Sequence, residues 1–139
     1  MIFRNEVKMN NTLKVLTAAA CTAAGFLFGE LDGMFKALAA LIVLDYISGV
    51  AAAAVEKRVS SSAGARGIAK KVFMLLIVAA ANIVDISVIG EGHMLKTVTT
   101  AFYAANECIS LLENAGRLGV PVPRKLTAVL DKLREENNK

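Results

Sequence analysis

Apolar residues fall into four blocks, roughly 13–28, 35–55, 72–89 and 95–112, and the charges gather in the short segments between them. The second and third blocks approach the ~20 residues that a helix rising ~1.5 Å per residue needs to cross a hydrocarbon core of ~30 Å. The first is shorter, and the fourth carries Thr97, Thr99, Thr100, Asn106, Glu107 and Ser110, which weaken it on hydropathy. The pattern predicts an all-α integral membrane protein of four transmembrane helices. A soluble bundle would suit the Ala-rich texture, but the mean hydropathy of +0.53 and the absence of charged helix faces oppose it. Beyond a Gly119 to Pro123 break, Leu126, Val129, Leu130 and Leu133 recur at i, i+3, i+4 and i+7, which predicts a short amphipathic helix over 123–137.

The signs of the connecting segments set the orientation. Arg4, Lys8 and Lys14 outweigh Glu6 before the first block; Glu30 and Asp32 outweigh Lys36 after it. The next connection is strongly basic through Lys57, Arg58, Arg66, Lys70 and Lys71, the third is balanced, and the tail from Arg117 is basic again. This alternation places both termini and the middle loop in the cytoplasm by the positive-inside rule. Four spans satisfy it, as do two if the first and fourth blocks only lie at the interface. The first block has Ala18 where a lipoprotein-type signal ending at Cys21 wants a larger aliphatic residue, so it reads as an uncleaved span. The basic segment 57–71, with its serines and glycines, reads as a flexible cytoplasmic loop.

Three acids lie inside the blocks: Asp45, Asp85 and Glu107. Lys36 and Lys96 stand only at the ends of those blocks, and no other basic residue shares the stretches with them. Asp45 lies about ten residues and Glu107 about twelve from the outer ends of their blocks, near mid-membrane on helices that run in the same direction. Ser110 and Asn114 extend the Glu107 strip, and Asn82 stands one turn before Asp85. An ionised side chain in lipid costs a few kcal/mol on insertion scales, so these strips are expected to face other helices or a wet lumen. Small residues at four-residue spacing, Gly25 with Gly29 and Gly49 with Ala53, offer close packing faces, and together with the polar strips they favour self-association.

The remaining chemistry is sparse. The 139 residues form one domain with almost no extramembrane mass for a catalytic unit. His93 is the sole histidine, and neither a zinc-type cluster, a phosphate loop nor a nucleophile with a base is present, so no catalytic, metal or cofactor site is expected. Cys21 and Cys108 read as packing residues. The net charge of +4 is accounted for by the loops and tail, and no basic and aromatic surface points to nucleic acid. The residues leave open a lesion-forming protein, a small ion channel or transporter, and a passive membrane adaptor.

Several short motifs narrow this choice. Asp45-Tyr46-Ile47-Ser48-Gly49, then Ser60-Ser61-Ser62 with Gly64, Arg66-Gly67-Ile68 and Lys70-Lys71, then Tyr103, Asn106-Glu107, Ser110 and Glu113-Asn114, then Gly119-Val120-Pro121-Val122-Pro123 and Leu126 occur in this order over about 34–133. In this the chain resembles the phage lysis and toxin-secretion holin family, and block one matches it less well. The resemblance implies a multi-pass protein of the bacterial host's cytoplasmic (inner) membrane, without enzymatic activity. It further implies homo-oligomers that open lesions and release an endolysin, or a toxin, from the cytoplasm.

Overall fold

The computed structural model describes residues 2–90 and 92–137, with side-chain environments for 11–90, 92–129 and 132. Five α-helices follow one another: α1 (Ile2–Phe28), α2 (Gly33–Val55), α3 (Ser61–Val84), α4 (Met94–Arg117) and α5 (Arg124–Asn137). No strand occurs among the described residues.

Local chemistry explains where the helices begin. Asp32 caps α2, its carboxylate accepting the Phe35 N–H at 2.8 Å, and Ser60 stands at the corresponding position before α3. The Phe35 N–H holds the Asp32 carboxyl below its ordinary value, with Lys96 adding to the effect. The start of α3 at Ser61 corrects the expected loop: Arg66, Lys70 and Lys71 lie on the helix, and the connection shrinks to a tight turn containing Lys57 with φ +55°. Pro123 immediately precedes α5, as the tail reading anticipated.

Three segments are long and apolar enough to cross a bilayer: 11–28 of α1, α2, and α3 with its continuation to Ile89. The fourth block fails that criterion, and the reason is visible in α4. Lys96, Thr100, Glu107 and Asn114 lie on one buried face, while Val98 and Phe102 point outward. Polarity is inverted relative to a soluble protein. Among the described residues, the buried apolar side chains are Leu38, Ala52, Val78 and Ala79, against seven buried polar or charged ones. The outer surface carries Val43, Ile47, Phe73, Leu76 and Val88.

Shared partners at both ends show that α2 and α4 are parallel: Lys96 meets Asp32 at one end and Arg117 meets Glu56 at the other. The buried positions repeat every seven residues, Leu38, Asp45 and Ala52 on α2 and Thr100, Glu107 and Asn114 on α4. That is the period of a left-handed helix pair. α3 runs the opposite way, and α4 packs along α2 far more extensively than α3 does. α3 ends in a π-helical turn, Asp85–Ile89, closed by Gly90 at φ +84°. The turn keeps Asp85 inward, where it has no exposed surface.

α1 differs from the other three. All its side chains from 11 to 23 are exposed, Cys21 among them. Thr17 and Thr22 return their hydroxyls to the carbonyls of Leu13 and Ala18, which satisfies them without any neighbour. Contact with the bundle is made near its end, where Asn82 Nδ2 donates to the Leu27 carbonyl at 3.1 Å. Gly29 follows at φ +63°, and a Cβ there would stand 2.8 Å from Asn82 Oδ1. Gly29→Ala should therefore loosen the α1 to α3 junction and cost about 1–2 kcal/mol through the left-handed backbone alone. Thermal unfolding in detergent checks this, and an unchanged midpoint would show that the junction carries no stability.

Candidate functional site

A buried ionic constellation draws one charged group from each of three helices. Asp45 is ten residues from the end of α2, Lys71 ten from the start of α3, and Glu107 ten from the end of α4. At ~1.5 Å per residue all three lie ~15 Å from the helix ends on the side of the α2 to α3 turn. The Lys71 ammonium donates to Asp45 Oδ2 at 2.7 Å and to Glu107 Oε2. Asn114, one heptad beyond Glu107, donates through Nδ2 to Asp45 Oδ1 at 2.9 Å and to Ser48 Oγ at 3.0 Å. Gly49 adjoins this group, and a Cβ at that position would lie in ordinary contact, 3.5 Å from Asn114 Nδ2.

The network continues to the end of the bundle near the α2 to α3 turn. Arg117 donates to Asn114 Oδ1 at 3.1 Å and pairs in a fork with both Glu56 oxygens, at 3.0 and 2.9 Å. The Arg117 bonds hold the Glu56 carboxyl below its ordinary value. An unbroken polar chain thus runs from Glu56, at the end of α2, to Glu107 in the middle of α4. Next to it a cleft of about 410 Å³ separates α2 from α3, with Ala53, Arg58, Gly64 and Gly67 among its lining and Asp45 and Lys71 at its deep end.

A second constellation lies at the opposite ends of the helices. Asp85 accepts the backbone N–H groups of Leu95 and Lys96 at 3.1 and 2.8 Å, so an acid from α3 caps the otherwise open first turn of α4. His93 occupies the N-cap position without a side-chain bond. Lys96, 2% exposed, reaches the Glu30 carbonyl at 2.6 Å and Asp32 Oδ2 at 3.5 Å. Asn82 Oδ1 is buried without a partner.

These positions revise several sequence expectations. Asp45, Glu107 and Asn114 do gather, with Ser110 beside them in the cleft lining, but they face one another within one chain. Asp85 lies apart from them, engaged in capping. Lys71 was expected in a solvated loop and is instead the cation for two of the acids; Arg66 and Lys70 remain exposed. Of the small residues, Gly49 and Gly29 make close approaches to side chains, Ala53 lines the cleft, and nothing comes within 4 Å of a Cβ at Gly25. Leu126 and Val129 of α5 are exposed, whereas the side chains of Leu130 and Leu133 lie outside the described residues. Reading Ser60 as a helix cap would have carried Lys71 to the depth of Asp45. The contribution of Lys96 had no comparable signal, because it depends on how the outer turns fold back.

The fold and its charged interior define a small helical membrane protein whose buried charges are paired from within. Residues 22–135 match the bacteriophage holin family, and the chain belongs to that family. It is 32% identical over 116 residues to a probable holin of Bacillus phage phi105, covering 84% of each chain. An uncharacterized protein of Halalkalibacterium halodurans is 36% identical over 135 residues, 94% of this chain and 100% of the relative. One from Listeria monocytogenes is 44% identical over 102 residues, 73% and 72% of the two chains. No solved structure matches the chain.

Breaking a buried ion group by removing one member leaves the others uncompensated, at a cost of about 3–5 kcal/mol. Lys71→Met should therefore destabilise the bundle by about that much, and adding Asp45→Asn with Glu107→Gln should restore most of it. Chemical unfolding in detergent micelles measures both, and a triple variant no better than Lys71→Met would deny the coupling.

The Glu56 carboxyl is lowered by folding, so its contribution is present above the ordinary value of 4.5 and lost as pH falls through the lower folded-state value. Wild type and Glu56→Gln should accordingly differ in thermal midpoint at neutral pH and converge in acid. A constant difference across that range would contradict the assignment.

Proposed function

We propose that the chain acts as a holin: it accumulates in the cytoplasmic membrane as a multi-pass protein, self-associates, and opens lesions through which an endolysin, or a toxin, leaves the cell. Membership of the holin family and the likeness to a probable phage holin support this reading. The observation that carries it is the buried strip of Lys96, Thr100, Glu107 and Asn114 on a helix whose other face is apolar. A copy with that strip turned inward presents lipid with an inert surface. The same strip, turned outward among several copies, supplies the polar wall that an aqueous hole requires.

The fourth span belongs to this proposal. α4 is 24 residues long, ~36 Å at ~1.5 Å per residue, and α2 and α3 cover its polar face. With four crossings, the basic segments place the N-terminus, the α2 to α3 turn and the tail in the cytoplasm. α5 then lies at the inner surface, where basic amphipathic helices bind anionic lipid or neighbouring tails. Lesion opening in this scheme separates α3 from the α2 and α4 pair, because the α2 to α3 packing is the sparser one and Lys71 is its principal ionic tie.

Co-expression with an endolysin tests the function. Cultures should lyse abruptly, with active enzyme in the medium at the onset; ion leakage without enzyme release would identify a channel, and neither effect would identify an adaptor. Glu107→Gln, at matched membrane levels, should delay the onset, since it alters the charge balance around Lys71 while keeping shape and hydrogen bonding. Onset at the wild-type time would confine Glu107 to packing.

A further inference from the structure

The cleft between α2 and α3 reaches the buried charges, and charged groups stand at both its mouth and its deep end. Its mouth is set by Glu56, Arg58 and Arg117, and its deep end by Asp45 and Lys71. Asp45 and Lys71 keep 11% and 13% of their side-chain surface exposed, and both line this cleft. Glycines keep it open: a Cβ at Gly67 would meet nothing within 4 Å, and one at Gly64 would meet only the Tyr46 hydroxyl at 3.9 Å. A volume of about 410 Å³ holds on the order of ten waters at ~30 Å³ each. Hydrocarbon in the same space would strip the remaining hydration from the exposed parts of Asp45, Lys71 and the charges at the mouth, which is unfavourable.

Beyond the ion cluster the bundle closes. Leu38 and Val78 have no exposed surface, Ala79 has 4% and Thr100 1%. This packed layer separates the charges from the outer constellation of Asp85 and Lys96. Lys71 lies ~15 Å from the start of α3, level with Asp45 in the middle of α2.

We propose that each single copy contains a water-filled half-channel, open at the basic α2 to α3 turn, blind at the Lys71 cluster, and sealed from the opposite side by the Leu38, Val78 and Thr100 layer. Its ligands are water and small hydrophilic solutes. Water thereby reaches the Lys71 cluster before any copies assemble, and what is left to open is the packed part of the bundle beyond it. The inference rests on the reading that α2, α3 and α4 cross the membrane.

Thiol accessibility in a background carrying Cys21→Ala and Cys108→Ala tests it. Ser62→Cys, in the exposed first turn of α3, fixes the side of the membrane on which the mouth lies. Gly67→Cys and Ser110→Cys place thiols in the cleft, the second almost isosterically, and Val78→Cys places one in the sealed layer. Vesicles of both orientations are treated with a charged, membrane-impermeant methanethiosulfonate. Because the thiolate reacts and needs water, positions 67 and 110 should label from the same side as 62, and at least about ten-fold faster than position 78. Labelling from the opposite side, rates as slow as at position 78, or reaction with a membrane-permeant maleimide alone would each overturn the half-channel. If Ser62→Cys labels from both sides, the spanning arrangement itself fails; a one-sided Ser62→Cys with unreactive 67 and 110 rejects only the cleft.

Discussion

A charge held between helices has to be answered by another group at the same level, and the architecture follows from how Lys71 meets that demand. Its ammonium needs acceptors within the bundle, and α2 and α4 each supply a carboxylate at the matching level. Asp45 is then completed by Asn114, and Asn114 by Arg117, so one largely buried cation organises a polar chain that reaches the end of the bundle at Glu56. Hydrophobic burial, which dominates soluble folds, has little to offer between helices already surrounded by lipid tails. Specific polar pairing and close approach at glycine take its place as the source of register.

The same demand accounts for the unusual composition of α4. Read by hydropathy alone it is too polar to enter a bilayer, yet its polar residues recur on the face that α2 covers, and the seven-residue repeat on both helices keeps them there along the whole length. At its outer end the unpaired N–H groups of the first turn would be a liability in lipid, and the Asp85 carboxylate meets two of them. The π-helical turn that carries Asp85 is the local distortion that brings this acid over the helix end.

Much of this organisation was legible in the sequence. The four apolar blocks, the tail helix, the shared depth of Asp45 and Glu107 and the strip through Asn114 are written in spacing, because a helix converts residue number directly into height. What escaped was the far partner. Lys70 and Lys71 stand beside Arg66 and a serine cluster, a composition that reads as loop, and only the continuation of α3 back to Ser61 carries Lys71 into the membrane. Gly29 and Asn82 were equally hidden: the first appeared as half of a helix packing motif, whereas its role is to turn the chain at positive φ beneath an amide from α3. Contacts between residues distant in sequence leave no periodic trace in either segment.

The attachment of α1 near its C-terminal end has a further corollary. From residue 13 to 23 its side chains are exposed, so an apolar residue of similar bulk serves at each of these positions. A substitution there leaves the charged interior untouched, and the part of α1 that the rest of the fold depends on is the last turn, where the Leu27 carbonyl and Gly29 meet Asn82.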